Sequence, residues 1–198
     1  MVVRQLDLML SKYALALQKI YWFAYLQMLW LLFTLCGLIV FGIFPATYAL
    51  LTMFKDAEEL SAREAFHKFK TIFVSSFRAI NQAGLIWQTM LFLVASNLFI
   101  IPNVGIYVQV TVIGVLGLTI LGIIHFFHYF EIDKSSLFQI KRAFSFVFLQ
   151  PRENVGYMLI LVILLLATQF IPGITFFYGI STCAYFVVKI GKYEHRLN

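Results

Sequence analysis

Residues able to do chemistry are few and gather in HFFHYFE, where His125, His128 and Glu131 stand at i, i+3 and i+6. Two imidazoles and a carboxylate can ligate a metal or pass protons. On a helix, however, the i+6 position lies about 120° from the first at 3.6 residues per turn. Glu131 therefore leaves the face that carries His125, and no metal or other cofactor is expected. The favoured reading of the pair is packing, or contact with lipid headgroups at the end of an apolar helix. Gln88, Asn97, Gln109 and Gln169 are the other polar residues placed at depth. Interhelical hydrogen bonding is their favoured role, and a solute path lined by Asn97, Gln109, His125 and His128 is the alternative. No Asp, Glu, Lys or Arg interrupts the middle of an apolar run, which argues against ion-coupled transport. HExxH, GxSxG, P-loop and GxGxxG patterns are absent, so an enzyme is not expected.

The elements that must carry these residues are apolar helices. Hydrophobic residues make up 62% of the 198-residue chain and charged residues 12%, against roughly 25% charged in soluble domains. The long runs do not alternate as the strands of a membrane β-barrel do. The fold class expected is an all-α polytopic membrane helix bundle, one domain over 1–198. The net charge of +6 is read as membrane topology and not as nucleic-acid binding, because Lys and Arg stay on the cytoplasmic side of bilayers. Cys36 and Cys183 lie in apolar runs without a CxxC spacing, and no disulfide is expected.

Apolar runs cover about 20–41, 85–101, 104–130 and 157–171, and a further one 173–190. The shortest of these reach only about 22–26 Å. Pro102 and Pro172 sit in tight turns between runs, and Pro45 has the same setting in GIFPATYALLTMF. Each proline marks a hairpin turn in this reading. All fifteen Lys and Arg then fall in the N-terminal stretch, 55–84, 131–156 and the C-terminal end, while the turns carry no charge. The positive-inside bias is kept only if 45–54 returns across the membrane. The expectation is six transmembrane helices as three hairpins (about 20–54, 85–130 and 157–190), both termini cytoplasmic; five spans is the alternative. The run beginning at Ile20 exceeds a signal-peptide h-region and is read as a retained helix.

Between the hairpins lie three cytoplasmic amphipathic segments, 1–19, 55–84 and 131–156. In SAREAFHKFKTIFVSSFRAINQ, Phe66, Phe69, Phe73 and Phe77 recur at helical spacing beside Lys68, Lys70 and Arg78. Ser61 and Glu64 fit a capping box that starts a helix near Ala62. Leu137, Ile140, Phe144 and Phe148 repeat the pattern beside Lys141 and Arg142. These residues are expected to rest on the inner leaflet or to dock a partner. On the helix 104–130, Thr111, Gly114, Leu118, Gly122, His125 and Tyr129 form a face of mostly small residues suited to close packing.

The stretches FGIFPATYALLTMFK and AFHKFKTIFVSSFRAINQAGLIW resemble the bacterial YesL-like family, catalogued as domain of unknown function 624. The matching positions are Pro45, Ala46, Thr47, Phe66, Phe69, Lys70 and Asn81; Phe44 stands where the family is expected to have glycine. The resemblance implies a multi-pass protein of the bacterial cell membrane whose genes often neighbour carbohydrate-uptake ABC transporters. It lends no catalytic residue. The function expected is an accessory protein of such a transporter, with the bilayer and permease or ATPase subunits as partners. A second copy of the chain is an alternative partner, and autonomous transport of a sugar or small solute is the alternative function.

Overall fold

The computed structural model describes residues 2–56, 60–100 and 105–194. Seven helices follow one another there: α1 (Val2–Cys36), α2 (Ile43–Asp56), α3 (Ala62–Ile100), α4 (Ile106–His128), α5 (Ser136–Leu149), α6 (Pro151–Phe170) and α7 (Pro172–Glu194). No strand occurs among the described residues. Within them, Lys12–Cys36, Ile106–His128, Pro151–Phe170 and Pro172–Gly191 are long and apolar enough to cross a bilayer.

α3 starts where its capping box sets it. The Ser61 backbone N–H and hydroxyl donate to Glu64 Oε2 at 2.9 and 2.6 Å, and the Glu64 N–H returns a bond to Ser61 Oγ. These bonds hold the Glu64 carboxyl below the usual carboxylate range. From this cap the helix continues for 39 residues, about 58 Å. The expected interfacial segment within 55–84 and the expected span 85–101 are thus two parts of one helix. Nothing between Ala62 and Ile100 breaks it, because the stretch contains no proline and its single glycine, Gly84, is a tolerated packing position.

The first hairpin turns earlier than Pro45. The chain reverses over residues 37–42, with Leu38 and Ile39 in the left-handed region at φ 58° and 63°. The Ile39 N–H donates to Thr34 O at 2.9 Å and the Ile43 N–H to Ile39 O at 2.9 Å. A Cβ on Gly42 would run into the Thr34 carbonyl, and one on Gly37 into Gly42 itself, so the turn needs both glycines. Two amides from α3 close it: Asn81 Nδ2 donates to Phe41 O at 2.9 Å and Gln88 Nε2 to Val40 O at 2.7 Å.

Pro45 therefore belongs to the first turn of α2, where a missing N–H costs nothing. Thr47 Oγ1 donates to Ile43 O and accepts from Trp30 Nε1 at 3.0 Å, tying α2 to α1. Phe44 packs so closely on α3 that a Cβ on Gly84 would lie 2.8 Å from its ring. α2 has only 14 residues, about 21 Å, short of a hydrocarbon core of about 30 Å. It is also enclosed: Phe44, Pro45, Ala46, Ala49, Leu50, Leu51 and Met53 are buried. The expected return span is an internal helix packed by α1, α3, α4 and α7.

The phenylalanine stripe of α3 completes this core. Phe69 and Phe73 are buried, Phe66 and Phe77 pack against the core, and Phe33 lies 5.8, 5.2 and 5.0 Å from the rings of Phe66, Phe69 and Phe73. These rings hold helices together: Phe69 and Phe73 face inward, and Phe66 and Phe77 are half-buried.

α6 and α7 form a second antiparallel pair, with Pro172 opening α7 directly after Ile171. Pro102 lies outside the described residues. On α4 only the later part of the small face is packed. Gly122 lets Trp87 approach, since a Cβ there would lie 2.6 Å from the indole, whereas Gly114 has nothing within 4 Å.

Candidate functional site

The end of α4, the α5–α6 junction and the first turns of α6 meet in a buried polar junction. Helix periodicity brings it together: His125 and Tyr129 are one turn apart on α4, as are Glu153 and Tyr157 on α6. His125, Glu153 and Tyr157 are 0%, 2% and 0% exposed.

Each polar group at the centre is oriented by another. Asn154 Nδ2 donates to Val147 O at the end of α5, which turns its Oδ1 towards the imidazole. His125 Nε2 lies 2.8 Å from that oxygen and must carry a proton to bond it. The ring is thereby assigned as an Nε2–H donor, and its buried Nδ1 finds no hydrogen-bond partner among the described residues. Tyr157 caps the ring edge-on at a centroid distance of 5.4 Å, and its hydroxyl donates to Glu153 Oε2 at 2.8 Å. Glu153 occupies the first turn of α6, where the partial positive charge of the helix N-terminus favours a carboxylate. Tyr129 stacks on His125 and on Phe146, and exchanges hydrogen bonds with Gln150.

A rim of ion pairs and backbone bonds surrounds this centre. Arg142 pairs with Glu131 and donates to Tyr129 O, and the guanidinium holds the Glu131 carboxyl below the usual carboxylate range. Gln139 accepts from the Glu131 N–H at 3.0 Å and donates to Lys134 O at 2.9 Å. Lys55, at the end of α2, donates to His128 O at 2.8 Å. The His128 ring fills the space over Gly191 of α7, where a Cβ would collide with it.

Of the residues singled out in the sequence, His125 lies at the centre and His128 at the edge, while Glu131 turns outward to Arg142. Among the described residues no three His, Cys, Asp or Glu side chains converge as metal ligands. The polar path does not assemble: Asn97 is exposed and bonds Leu93 O of its own helix. Gln109 lies about 24 Å from His125 along α4. Arg142 is engaged in the junction, whereas Lys70 and Lys141 are exposed.

Glu153, Asn154, Tyr157 and Gln150 were not legible as site residues. PRENVGY reads as a helix start, with proline followed by an acidic residue, but a loop assignment to 156 hides which way the helix faces. Glu153 is a buried ionisable group in the first turn of α6, ahead of the apolar run 157–171. Gln27 was missed as well. Buried in α1, it donates to Phe176 O at 3.0 Å and accepts from the Ser181 N–H at 2.9 Å, locking α1 to α7.

Residues 23–98 match the family model described as "Protein of unknown function, DUF624". That segment runs from α1 through the 37–42 turn and α2 into the last turn of α3, the same helices that share most of the buried core. Over 135 residues, 65% of this chain and 63% of the relative, the sequence is 29% identical to the "Uncharacterized protein YesL" of Bacillus subtilis (strain 168). The match thus spans less than two thirds of that relative's length. No solved structure matches.

Proposed function

We propose, from the DUF624 match at residues 23–98 and the likeness to YesL, that the chain is a YesL-like membrane accessory protein of a bacterial carbohydrate-uptake ABC transporter. The observation that carries this reading is α6. Of its 20 residues only Glu153 and Tyr157 are buried, and the rest of the helix turns apolar side chains such as Leu159, Ile163 and Leu166 outward. The first half of α4 is equally uncovered, from Ile106 and Tyr107 to Leu118. A bundle that exposes helices in this way has surface for the spans of a permease. The groove of about 250 Å³ between α6 and α7 is lined mainly by apolar residues such as Ile160, Leu164, Ala167 and Phe186, with Thr175, Tyr178 and Thr182 as its hydroxyl-bearing residues, and it holds no charged or amide side chain of the kind that fixes a sugar.

In this reading the protein sits in the cell membrane with both termini cytoplasmic. The α1–α2 hairpin forms the first of three membrane-inserted hairpins. α2 returns inside the protein and not against lipid, so its short length is tolerated. The test is co-purification from native membranes after mild solubilisation under sugar induction. Permease or ATPase subunits should accompany the chain, and a clean single species would sink the proposal.

A second reading, autonomous transport of a small solute, draws on the buried junction of Glu153, Tyr157, His125 and Asn154, since intramembrane ionisable groups often mark solute or proton paths. Proteoliposomes containing only this chain should then show flux above empty vesicles, reduced in Glu153→Gln. Flux equal to that of empty vesicles would remove it.

A further inference from the structure

α5 joins two helices that are long and apolar enough to cross a bilayer. With both spanning, the end of α4 at His128 and the start of α6 at Pro151 meet one membrane surface. The links on either side of α5 are short, residues 129–135 and Gln150 alone. Packing holds the helix at that level. The Phe144 ring lies 5.0 Å from Trp87 of α3 and 3.6 Å from where a Cβ on Gly122 would stand. Gly122 is about 9 Å back from His128 along α4. Phe146 stacks on Tyr129 at 4.1 Å. α5 therefore lies alongside the last turns of α4 and does not stand off into water.

The two sides of α5 differ in chemistry. Gln139, Ile140, Ala143 and Val147 are buried against the bundle. Opposite them Leu137, Phe138, Lys141, Ser145, Phe148 and Leu149 are exposed, all within an arc of about 120°. Phe148 and Leu149 are 73% and 72% exposed, too bare for a face turned to water. Lys141 stands near the middle of the arc, between apolar residues on both sides. The next apolar residues outward, Val155 and Leu159, already belong to the α6 span. Within 129–153 the balance of exposed charge is basic. Glu131 pairs with Arg142 and Glu153 is buried under the Tyr157 hydroxyl, which leaves Asp133 beside the exposed Lys134, Lys141 and Arg152.

We propose that α5 lies in the plane of the membrane surface, with Leu137, Phe138, Phe148 and Leu149 among acyl chains and Lys141 on the phosphate of an anionic phospholipid. A helix with one apolar face settles at the boundary of headgroups and acyl chains. The lysine stem runs along that apolar face while its ammonium reaches the headgroup oxygens and makes charge-assisted bonds there. The inference needs only a chain in a membrane, so the absence of transporter subunits on co-purification would leave it standing.

A photo-crosslinking residue at Phe148, in the full chain in native membranes, tests the occupant. The expected adduct is phospholipid, and a protein adduct in its place overturns the proposal. The headgroup is tested with the purified Cys36→Ala/Cys183→Ala chain, fluorescently labelled at Ser145→Cys. It is reconstituted in phosphatidylcholine vesicles that contain a small share of brominated phosphatidylglycerol or of brominated phosphatidylcholine. Quenching should report phosphatidylglycerol enriched about fivefold beside the label, as one basic residue at an anionic surface supports. The enrichment should fall towards parity in Lys141→Gln and persist in Lys141→Arg. Salt raised from about 0.1 M to about 1 M, which shortens the Debye length from ~10 to ~3 Å, should lower it as well. The substituted side chains are exposed, and single symmetric elution peaks in detergent confirm folding. No quenching by either lipid, equal quenching by both, or an enrichment unchanged in Lys141→Gln overturns the proposal.

Discussion

His125 and Asn154 each fix the other's orientation, and the consequence is measurable. Asn154→Leu leaves the buried Nε2–H without its acceptor and Val147 O without its donor. The expected loss is about 1–3 kcal/mol, the cost of a buried polar group left unsatisfied. His125→Phe with Asn154→Leu removes both partners and should lose less than the two single losses added together. Thermal unfolding in detergent across the four-protein cycle checks this, and strict additivity would refute the pairing. At the rim, Glu131 titrates below its ordinary range because of Arg142. Its contribution is present above the unfolded carboxylate pKa, about 4.3, and is lost as pH falls through the lower folded value. Glu131→Gln should lower the melting temperature at neutral pH and match the parent at acid pH, flattening that part of the acid limb, as a pH series of melting temperatures will show. HFFHYFE made the histidines visible, because imidazoles stand out in an apolar run. The partners Asn154 and Glu153 were invisible, because they come from a different helix whose facing no local pattern reports.

At the scale of elements, the turn at 37–42 holds two glycines whose Cβ would meet backbone and not a movable side chain. Gly42→Ala drives a methyl into the Thr34 carbonyl, in backbone that cannot move aside. A loss of about 3 kcal/mol or more is expected, at the upper end of overpacking effects. Gly114→Ala meets nothing and should be neutral or slightly stabilising, because alanine is the better helix former by about 1 kcal/mol. Equal effects at the two glycines would contradict the packing described for α1–α2 and α4. Ile39→Gly probes the same turn from the other side. It removes the penalty of a β-branched residue at φ 63°, about 1–2 kcal/mol, against about 0.5–1 kcal/mol of added chain entropy. The variant should therefore melt no lower than the parent. The sequence signalled the start of α3, because a capping box is local chemistry. It misplaced the hairpin turn, because proline marks a first helical turn as readily as a reversal. It also divided α3 in two, because a change from charged to apolar outward residues looks like the end of a helix.

At the scale of the molecule, charge and packing bear on topology in different ways. The even partition of Lys and Arg asks for a return between Cys36 and Lys55, and packing supplies one that is too short for lipid but enclosed by four other helices. Phe23 of α1 lies 5.3 Å from Phe54 of α2, and both meet Tyr185 of α7. Tyr25 bonds Ala62 O at 2.6 Å. The end of α2 and the start of α3 thus stand level with Phe23 and Tyr25, close to where the apolar part of α1 begins. On the proposed topology, Lys12 and Lys55 are expected on the same side of the membrane. In a chain with Cys36→Ala and Cys183→Ala, single cysteines at positions 12 and 55 should both resist a membrane-impermeant thiol reagent in intact cells and both react in inverted vesicles. Reaction from opposite sides would mean that α2 stays beyond the bilayer with the turn. The proposed return of α2 across the membrane would then be wrong.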